Sequence, residues 1–229
     1  KNLKKIINFG QLSLTGIFPS KKINSIFLTP LELVYSNESK LVQLRHNYNS
    51  KYLFGSNYGY RSNLNKSMVD HLFKKYKYLK KISSVKHNDN VLDIGSNDGT
   101  FLNFFNYKIN RFGCDPTASK FKNNYNKGIK VIPKIFNTQL AKKFKNKFKL
   151  ITAIAMFYDL NNPLAFCNSI EKILDKDGIF HVEIAYLPDI ISKLSFDTFC
   201  QEHLTYYSLK SFEYLISQTN LKIIDYNRN

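Results

Sequence analysis

Apolar residues along this chain fall into short runs whose spacing changes character at about residue 65. Before that point they come in small groups, Ile6 and Ile7, Ile26 to Leu28, Leu31 to Val34 and Leu41 to Leu44, separated by Gly, Pro, Ser and Asn clusters. That pattern predicts short strands joined by turns. From Lys66 the spacing becomes helical, with Met68, Val69, Leu72, Phe73 and Tyr76 on one side of an amphipathic helix and lysines on the other. Strand-like runs near 91–95, 111–115, 129–132, 150–155, 178–184 and 221–226 then alternate with helical stretches. Such alternation predicts an α/β fold built on a mostly parallel sheet with right-handed crossovers. The chain therefore divides into a strand- and turn-rich segment, 1–65, and an α/β domain, 66–229.

The run VLDIGSNDGTFL, Val91 to Leu102, holds a buried strand, an acidic glycine turn and a helix start. Gly95 and Gly99 stand where the chain must reverse and where backbone can approach a ligand; Phe101, Leu102, Phe104 and Phe105 follow with helical spacing. In doubly wound sheets ligands sit at the carboxyl ends of strands, facing the amides of the next helix. The dinucleotide fingerprint GxGxxG is absent, and the turn reads GxNxG after Asp93. Asp93 and Asp98 would repel a diphosphate, whereas S-adenosylmethionine presents an ammonium and ribose hydroxyls and has no phosphate. The residues expected around that cofactor are Asp93, Gly95, Ser96 and Asn97. Asp115 joins them, at the end of RFGCD and about 20 residues after the turn, where an acid reaches a ribose diol. Pro116 ends that strand beside it, and a plainer role for Asp115 is to form the turn with Pro116 and Thr117.

With 229 residues, 43% apolar and 15% aromatic, the chain is long enough for a full core. No run of about 18 apolar residues exists and Asn8, Gly10 and Gln11 interrupt any leader-like core, so no membrane partner and a cytoplasmic location are expected. The net charge of +17 raises the question of nucleic acid. The arginines are only Arg45, Arg61, Arg111 and Arg228, however, and the lysines are scattered among abundant Asn and Ile. No specific nucleic-acid partner is expected. Cys114, Cys167 and Cys200 form no CxxC or Cys/His pair and read as reduced thiols.

Two further segments carry chemistry. The fourth α/β strand runs into AMFYDLNNP, where Met156 and Phe157 suit packing against the cofactor or the core. No polar-Pro-Pro-aromatic segment for gripping a planar nitrogen and no Pro-Cys nucleophile stand there. In the fifth strand His181 and Glu183 alternate, open to pairing in the interior or at an edge. The second segment, SFDTFCQEHLTYYS, sets Glu202 beside His203. A histidine with an ordinary pKa of about 6.5 moves protons at neutral pH, and a carboxylate assists it. Adjacent helical residues diverge by about 100 degrees, so the pair need not touch.

Several blocks together resemble the S-adenosylmethionine-dependent C-methyltransferases that act on nucleotide-linked deoxysugars: FGQLSLTGIFP, LELV, LVQL, YGYRSNLNKSM, VLDIGSNDGT, GCDPTASKF, IAMFYDLNNPLAF and DTFCQEHLTYYS. They occur in family order over nearly the whole chain. The resemblance implies a Rossmann-like class I methyltransferase sheet and a carbon acceptor beside the ketone of a nucleotide-linked keto-deoxysugar, methylated through an enolate. It also implies proton transfer by Glu202 and His203, with Tyr60 closing over the substrate and Arg61 and Tyr158 placed to meet it. In one branch of the family a histidine stands where this chain has Tyr158, and a tyrosine where it has Cys200. The family's N-terminal zinc module uses two Cys pairs; here the second would fall on Ser36 and Ser39, so no zinc is expected. A last strand expected after 221–226 is not in the sequence, which reads as a fragment. Transfer to oxygen or nitrogen of another metabolite, or a non-catalytic cofactor-binding remnant, are the alternatives; the oligomeric state is left open.

Overall fold

The computed structural model describes residues 3–15, 27–54 and 58–228. In chain order its elements are β1 (Leu3–Ser13), β2 (Leu28–Ser36), β3 (Val42–Leu44), α1 (Ser50–Leu53), α2 (Lys66–Ser83), β4 (Asn90–Ile94), α3 (Thr100–Asn103), β5 (Asn110–Cys114), β6 (Lys130–Ile132) and α4 (Thr138–Ala141). They continue with β7 (Phe148–Ile154), α5 (Pro163–Ile173), β8 (Leu174–Glu183), α6 (Leu187–Ser192), β9 (Thr205–Tyr206) and α7 (Leu209–Ile216), with single 3₁₀ turns between. These elements gather into two compact units, one comprising Tyr58–Met156 and Ser169–Glu183, the other Lys1–Asn57, Phe157–Asn168 and Ile184–Asn229. The division read from the sequence, at 65/66, is not the one the contacts draw: Tyr60 and Arg61 group with the α/β unit and everything after residue 183 groups with the N-terminal strands.

The first unit is built on the expected parallel sheet, in the order β6-β5-β4-β7-β8. Its central strand β4 is buried on both faces, which is why Val91, Leu92 and Ile94 form an almost uninterrupted apolar run. Helix α2 starts where the Asn65 side chain accepts from the Ser67 amide (3.0 Å) and stops at Ser84 in a left-handed conformation. It buries Leu72 and Leu79 against Val91, Phe101, Leu102, Phe105 and Leu150, with Met68 and Tyr76 packed at the margin. Two details of the expected helix change. Phe73 is 42% exposed, and Lys75 turns inward to pair with Glu183 of β8 at 2.8 Å. The helix after the glycine turn is also shorter than the Phe101 to Phe105 spacing predicts, closing at Asn103.

The second unit carries a four-stranded antiparallel sheet, β1-β2-β3-β9. Its core is Leu31, Leu33, Leu44, Leu187, Ile190, Leu204 and Tyr206. β1 is longer than the short strands predicted, at 11 residues, and is exposed on both faces. The FGQLSLTGIFP block lies partly outside the described residues.

The predicted strand at 221–226 does not form. Those residues have no regular structure and pair with no strand, and Ile223, Ile224 and Tyr226 are exposed. Alternating apolar residues make a strand only when a neighbouring edge takes up their backbone groups. Among the described residues no helix is long and apolar enough to cross a membrane. Leu79 is fully buried. Leu79→Ala is therefore expected to lower stability by about 2–5 kcal/mol, seen as a lower urea midpoint at unchanged slope.

Candidate functional site

The turn after β4 is closed by its own backbone: Gly95 N–H donates to Cys114 O (2.8 Å) and Gly99 N–H to Ser96 O (2.8 Å). Gly95, Asn97 and Gly99 all adopt positive φ (76°, 47° and 79°), which is what the GxNxG spelling allows. The space left by the missing side chains is taken by protein. A Cβ on Gly95 would lie 2.8 Å from Met156 Cγ, and one on Gly99 2.5 Å from the Tyr125 ring. Gly113 of β5 makes room for the same ring, 2.9 Å from its would-be Cβ. Of Val91 to Thr100 only Gly95 is even partly exposed. The approach expected at two glycines is thus confined to one, because Tyr125 fills the other.

The polar side chains of the turn face inward. Tyr125 O–H donates to Asn97 O (2.8 Å), so the 2.8 Å contact with Ser96 Oγ must have serine as donor. Asn97 Nδ2 donates to Tyr60 O and its Oδ1 accepts from Ser62 N, both at 3.0 Å. Asp98, fully buried, accepts from Asn63 N (3.1 Å) and from the amide and hydroxyl of Thr100. Lys120 Nζ adds a bond to Tyr58 O (2.8 Å). Asn97, Asp98 and Lys120 therefore hold the 58–63 strap on the turn, and it is this strap that carries Tyr60 and Arg61. The Tyr60 side chain is half exposed, its phenol raised by burial although Ser62 pulls the other way. Arg61 lies 5.4 Å from the centre of the Phe121 ring, and its buried Nε has no hydrogen-bond partner among the described residues.

Asp93 and Asp115 end adjacent strands β4 and β5, both buried. Asp93 accepts from Thr152 Oγ1 at 2.6 Å, yet burial, with Asp115 adding repulsion, pushes its carboxyl up to about 7. Asp115 already receives Asn97 N (3.0 Å) and the amide and hydroxyl of Thr117 (2.6 Å each). A carboxylate offers about four acceptor positions, so one remains for a ligand. The turn-forming role and the diol role thus coexist only if the diol takes that position or displaces Thr117. No ion pair among the described residues involves Asp93, Asp98 or Asp115. Two coupled acids without a cation favour a positively charged ligand and disfavour a diphosphate. Pro116 is exposed beside them and Met156 partly so.

Phe157, Tyr158, Glu202 and His203 belong to the other unit. Phe157 is core: it is fully buried against Phe166, Tyr207 and Phe212, at 5.6–5.7 Å between ring centres, so a cofactor has no face of it to meet. Tyr158 packs edge-on against the His203 ring at 4.5 Å. His203 Nδ1 lies 2.9 Å from the Thr198 carbonyl; since a carbonyl only accepts, Nδ1 carries the proton and Nε2 is the basic atom. Burial lowers the imidazole's pKa, partly offset by Thr198, and raises that of Glu202, so the two move toward each other.

What sets this element in place went unseen in the sequence. Gln201, buried, donates to Thr29 Oγ1 (3.0 Å) and accepts from Thr15 Oγ1 (3.4 Å). Leu44 N donates to Leu204 O (2.9 Å), and β9 pairs Thr205 and Tyr206 with Gln43 and Val42. Two other residues were also missed. Tyr125 gave no signal, standing among lysines and asparagines; Asp159 did, as an acid just past the end of β7. Of the alternating pair in β8, Glu183 is held by His71 and Lys75 at 2.8 Å each, and the part-buried His181 is pushed down to about 4 by desolvation and by Lys75.

A family model described as a methyltransferase domain matches residues 60–226. The C-methyltransferase NovU of Streptomyces niveus is 26% identical over 226 residues, covering 96% of this chain and 54% of NovU, so the chain spans about half the length of that curated relative. Among solved structures, the plantazolicin methyltransferase BpumL in complex with SAH superposes with a TM-score of 0.55 at 17% identity, over 67% of this chain and 65% of BpumL. A SAM-dependent methyltransferase of Leishmania major gives 0.53 at 12% identity, over 70% and 66%. The fold these structures share is the Rossmann-like methyltransferase sheet that the sequence predicts.

Two outcomes test the turn. Gly99→Ala adds a methyl against Tyr125 at positive φ, and is expected to lower both the melting temperature and adenosylhomocysteine binding by calorimetry. Asp93 keeps its proton up to about pH 7 when folded and loses it near pH ~4 when unfolded. The folded state thus binds more protons in that window, and the stability from this group, whole below it, is lost as pH rises through it. Asp93→Asn, neutral throughout, is expected to flatten that decline in urea midpoints; an unchanged slope would contradict the assignment.

Proposed function

The chain belongs to the methyltransferase-domain family, and on that premise we propose that it is a C-methyltransferase using S-adenosylmethionine, whose acceptor is the carbon beside the ketone of a nucleotide-linked keto-deoxysugar. The observation that carries the donor half is the pair of buried, cation-free carboxyls, Asp93 and Asp115, at the carboxyl ends of β4 and β5. They suit an ammonium and a ribose diol, with the part-exposed backbone of Gly95 and the side chain of Met156 beside them. The donor supplies a methyl group on a positively charged sulfur. Carbon becomes its nucleophile only after losing a proton, and a neighbouring ketone makes that proton acidic.

The proton-transfer half rests on Glu202 and His203. A neutral imidazole with Nδ1–H fixed by Thr198 leaves Nε2 to take the carbon's proton, and Glu202 supports the imidazolium that results. Similarity to NovU, described as a C-methyltransferase, supports carbon as the acceptor atom. The family resemblance of DTFCQEHLTYYS and YGYRSNLNKSM supports the keto sugar, with Tyr60, Arg61 and Tyr158 toward the substrate.

In deuterium oxide, a thymidine diphosphate 4-keto-6-deoxyhexose is expected to exchange its carbon-3 proton in the presence of the protein. His203→Ala and Glu202→Gln are expected to slow this by about 10²–10⁴-fold. Exchange at the wild-type rate in both variants would refute these roles, and a methyl group released by acid or base would place it on oxygen instead.

A further inference from the structure

The chain around Tyr125 is gripped by α3 on both sides. Asn103, the last residue of that helix, donates from Nδ2 to Asn124 O (2.8 Å) and accepts on Oδ1 from the Asn126 amide (2.8 Å). Asn126 Nδ2 returns a third bond to Asn103 O at 3.3 Å. The neighbours of Tyr125 are thus fixed to the helix that follows the glycine turn. Its buried ring enters between Gly99 and Gly113, where a side chain on either would collide with it.

A phenylalanine would fill that space equally, so packing accounts for the ring and not for the hydroxyl. A buried hydroxyl is costly unless it is bonded, and this one places its bonds on the turn: it accepts from Ser96 Oγ and donates to Asn97 O, both at 2.8 Å. Asn97 sits at φ 47°, a conformation that a residue with a side chain leaves unless it is held. Here each of its polar groups is engaged. The amide donates to Asp115 Oδ2 (3.0 Å), Nδ2 donates to Tyr60 O and Oδ1 accepts from Ser62 N (3.0 Å each), and the carbonyl accepts from Tyr125. Asn97 therefore joins the acid that ends β5 to the strap that carries Tyr60, and Tyr125 fixes the residue that joins them.

We propose that Tyr125 is a positioning residue for the methyl donor: through Ser96 and Asn97 its hydroxyl holds the turn after β4 in the donor-binding form before the donor arrives. The proposal rests on the donor half of the reading above and uses nothing of the acceptor half. Affinity falls in proportion to the fraction of molecules whose turn is competent to bind. Without the hydroxyl, Asn97 O loses its donor and the positive φ loses one of its holds. The Asp115 carboxyl and the backbone at Gly95, which the turn keeps at a fixed spacing, then shift against each other. The Ser96 hydroxyl, whose proton goes to the phenol, serves the donor through Tyr125 and not by a bond of its own.

Calorimetry with adenosylhomocysteine, at a temperature where every variant is folded, tests this. Tyr125→Phe keeps the ring and is expected to weaken binding by about 3–10-fold, the loss of one buried hydrogen bond. In the ligand-free protein the amides of Asn97 and Ser62 should exchange with deuterium oxide faster than in wild type by a similar factor. Leu79→Ala controls for stability: it should cost more in melting temperature and bind as wild type does. If it weakens binding as much as Tyr125→Phe, the effect is one of stability and the proposal is overturned. Ser96→Ala separates the two routes open to the serine. Acting through Tyr125, it should weaken binding in the wild-type background but change it by less than about twofold in Tyr125→Phe. Losses that multiply in the double variant mean that Ser96 bonds the donor itself, and they overturn the proposal. Binding by Tyr125→Phe within about twofold of wild type overturns it too. A wild type that binds no adenosylhomocysteine refutes the donor half of the reading instead, and the positioning role falls with it.

Discussion

The structure depends on carboxyl groups buried without cations. The chain carries 34 Lys and Arg residues against 17 Asp and Glu, so counter-ions are abundant, yet none of the ion pairs among the described residues involves Asp93, Asp98, Asp115, Asp159 or Glu202. Removing a carboxylate from water without a partner costs several kcal/mol and is met by protonation or by hydrogen bonds to the charged form. Glu183 shows the ordinary solution in the same molecule: burial pushes its carboxyl up, but Lys75 and His71 together bring it below its usual range. That the five others are denied this arrangement is what distinguishes the turn after β4 and the Glu-His element from the rest of the fold.

The four aspartates divide by what satisfies them. Asp98 is fully satisfied by neutral donors, the amides of Asn63 and Thr100 and a hydroxyl, and its work is to close the turn onto Thr100 and pin the strap. Asp115 is nearly so. Asp93, with one hydroxyl donor, and Asp159, with an orphaned oxygen, are the under-satisfied ones. An under-satisfied buried carboxyl calls for a partner, and at the carboxyl end of β4 a bound ligand is one that completes Asp93. At Asp93 that partner is a cation, which restores the carboxyl to its charged form.

How much of this was legible in the sequence follows from the range of the interactions. β4, its glycine turn and Asp115 were visible because they are written within some 25 residues, in a grammar of apolar run, positive-φ positions and an acid one strand later. The role of the Asn-Asp pair was not. In sequence both read as ligand-facing polar residues, and only the return of the strap from 58–63 shows them turned inward. Tyr125 was illegible for the same reason, since its importance lies in the absence of a Cβ at Gly99 and Gly113, two positions on different elements. The Glu-His element was seen as chemistry but not as architecture. Its platform is a ladder between Val42 and Tyr206, and no local pattern announces a pairing across so much chain. The segment 221–226 erred the other way: its alternation was genuine, but alternation is permission to form a strand, and a free edge has to accept it.

The charge of the chain as a whole and that of its acid sites then act in opposite senses. The net +17 draws anions over distances of about a Debye length, ~8–10 Å at physiological salt. The acid sites offer an anion no partner cation at contact, where the local dielectric is low and a missing counter-ion is felt most. A small free anion would be drawn near and then rejected at the acids. A molecule with its negative charge gathered at one end and a neutral ring at the other satisfies both terms, since only its neutral end has to meet the acids. The acceptor we propose, a nucleotide-linked keto sugar, has that distribution, and a phosphorylated metabolite too short to separate the two ends does not.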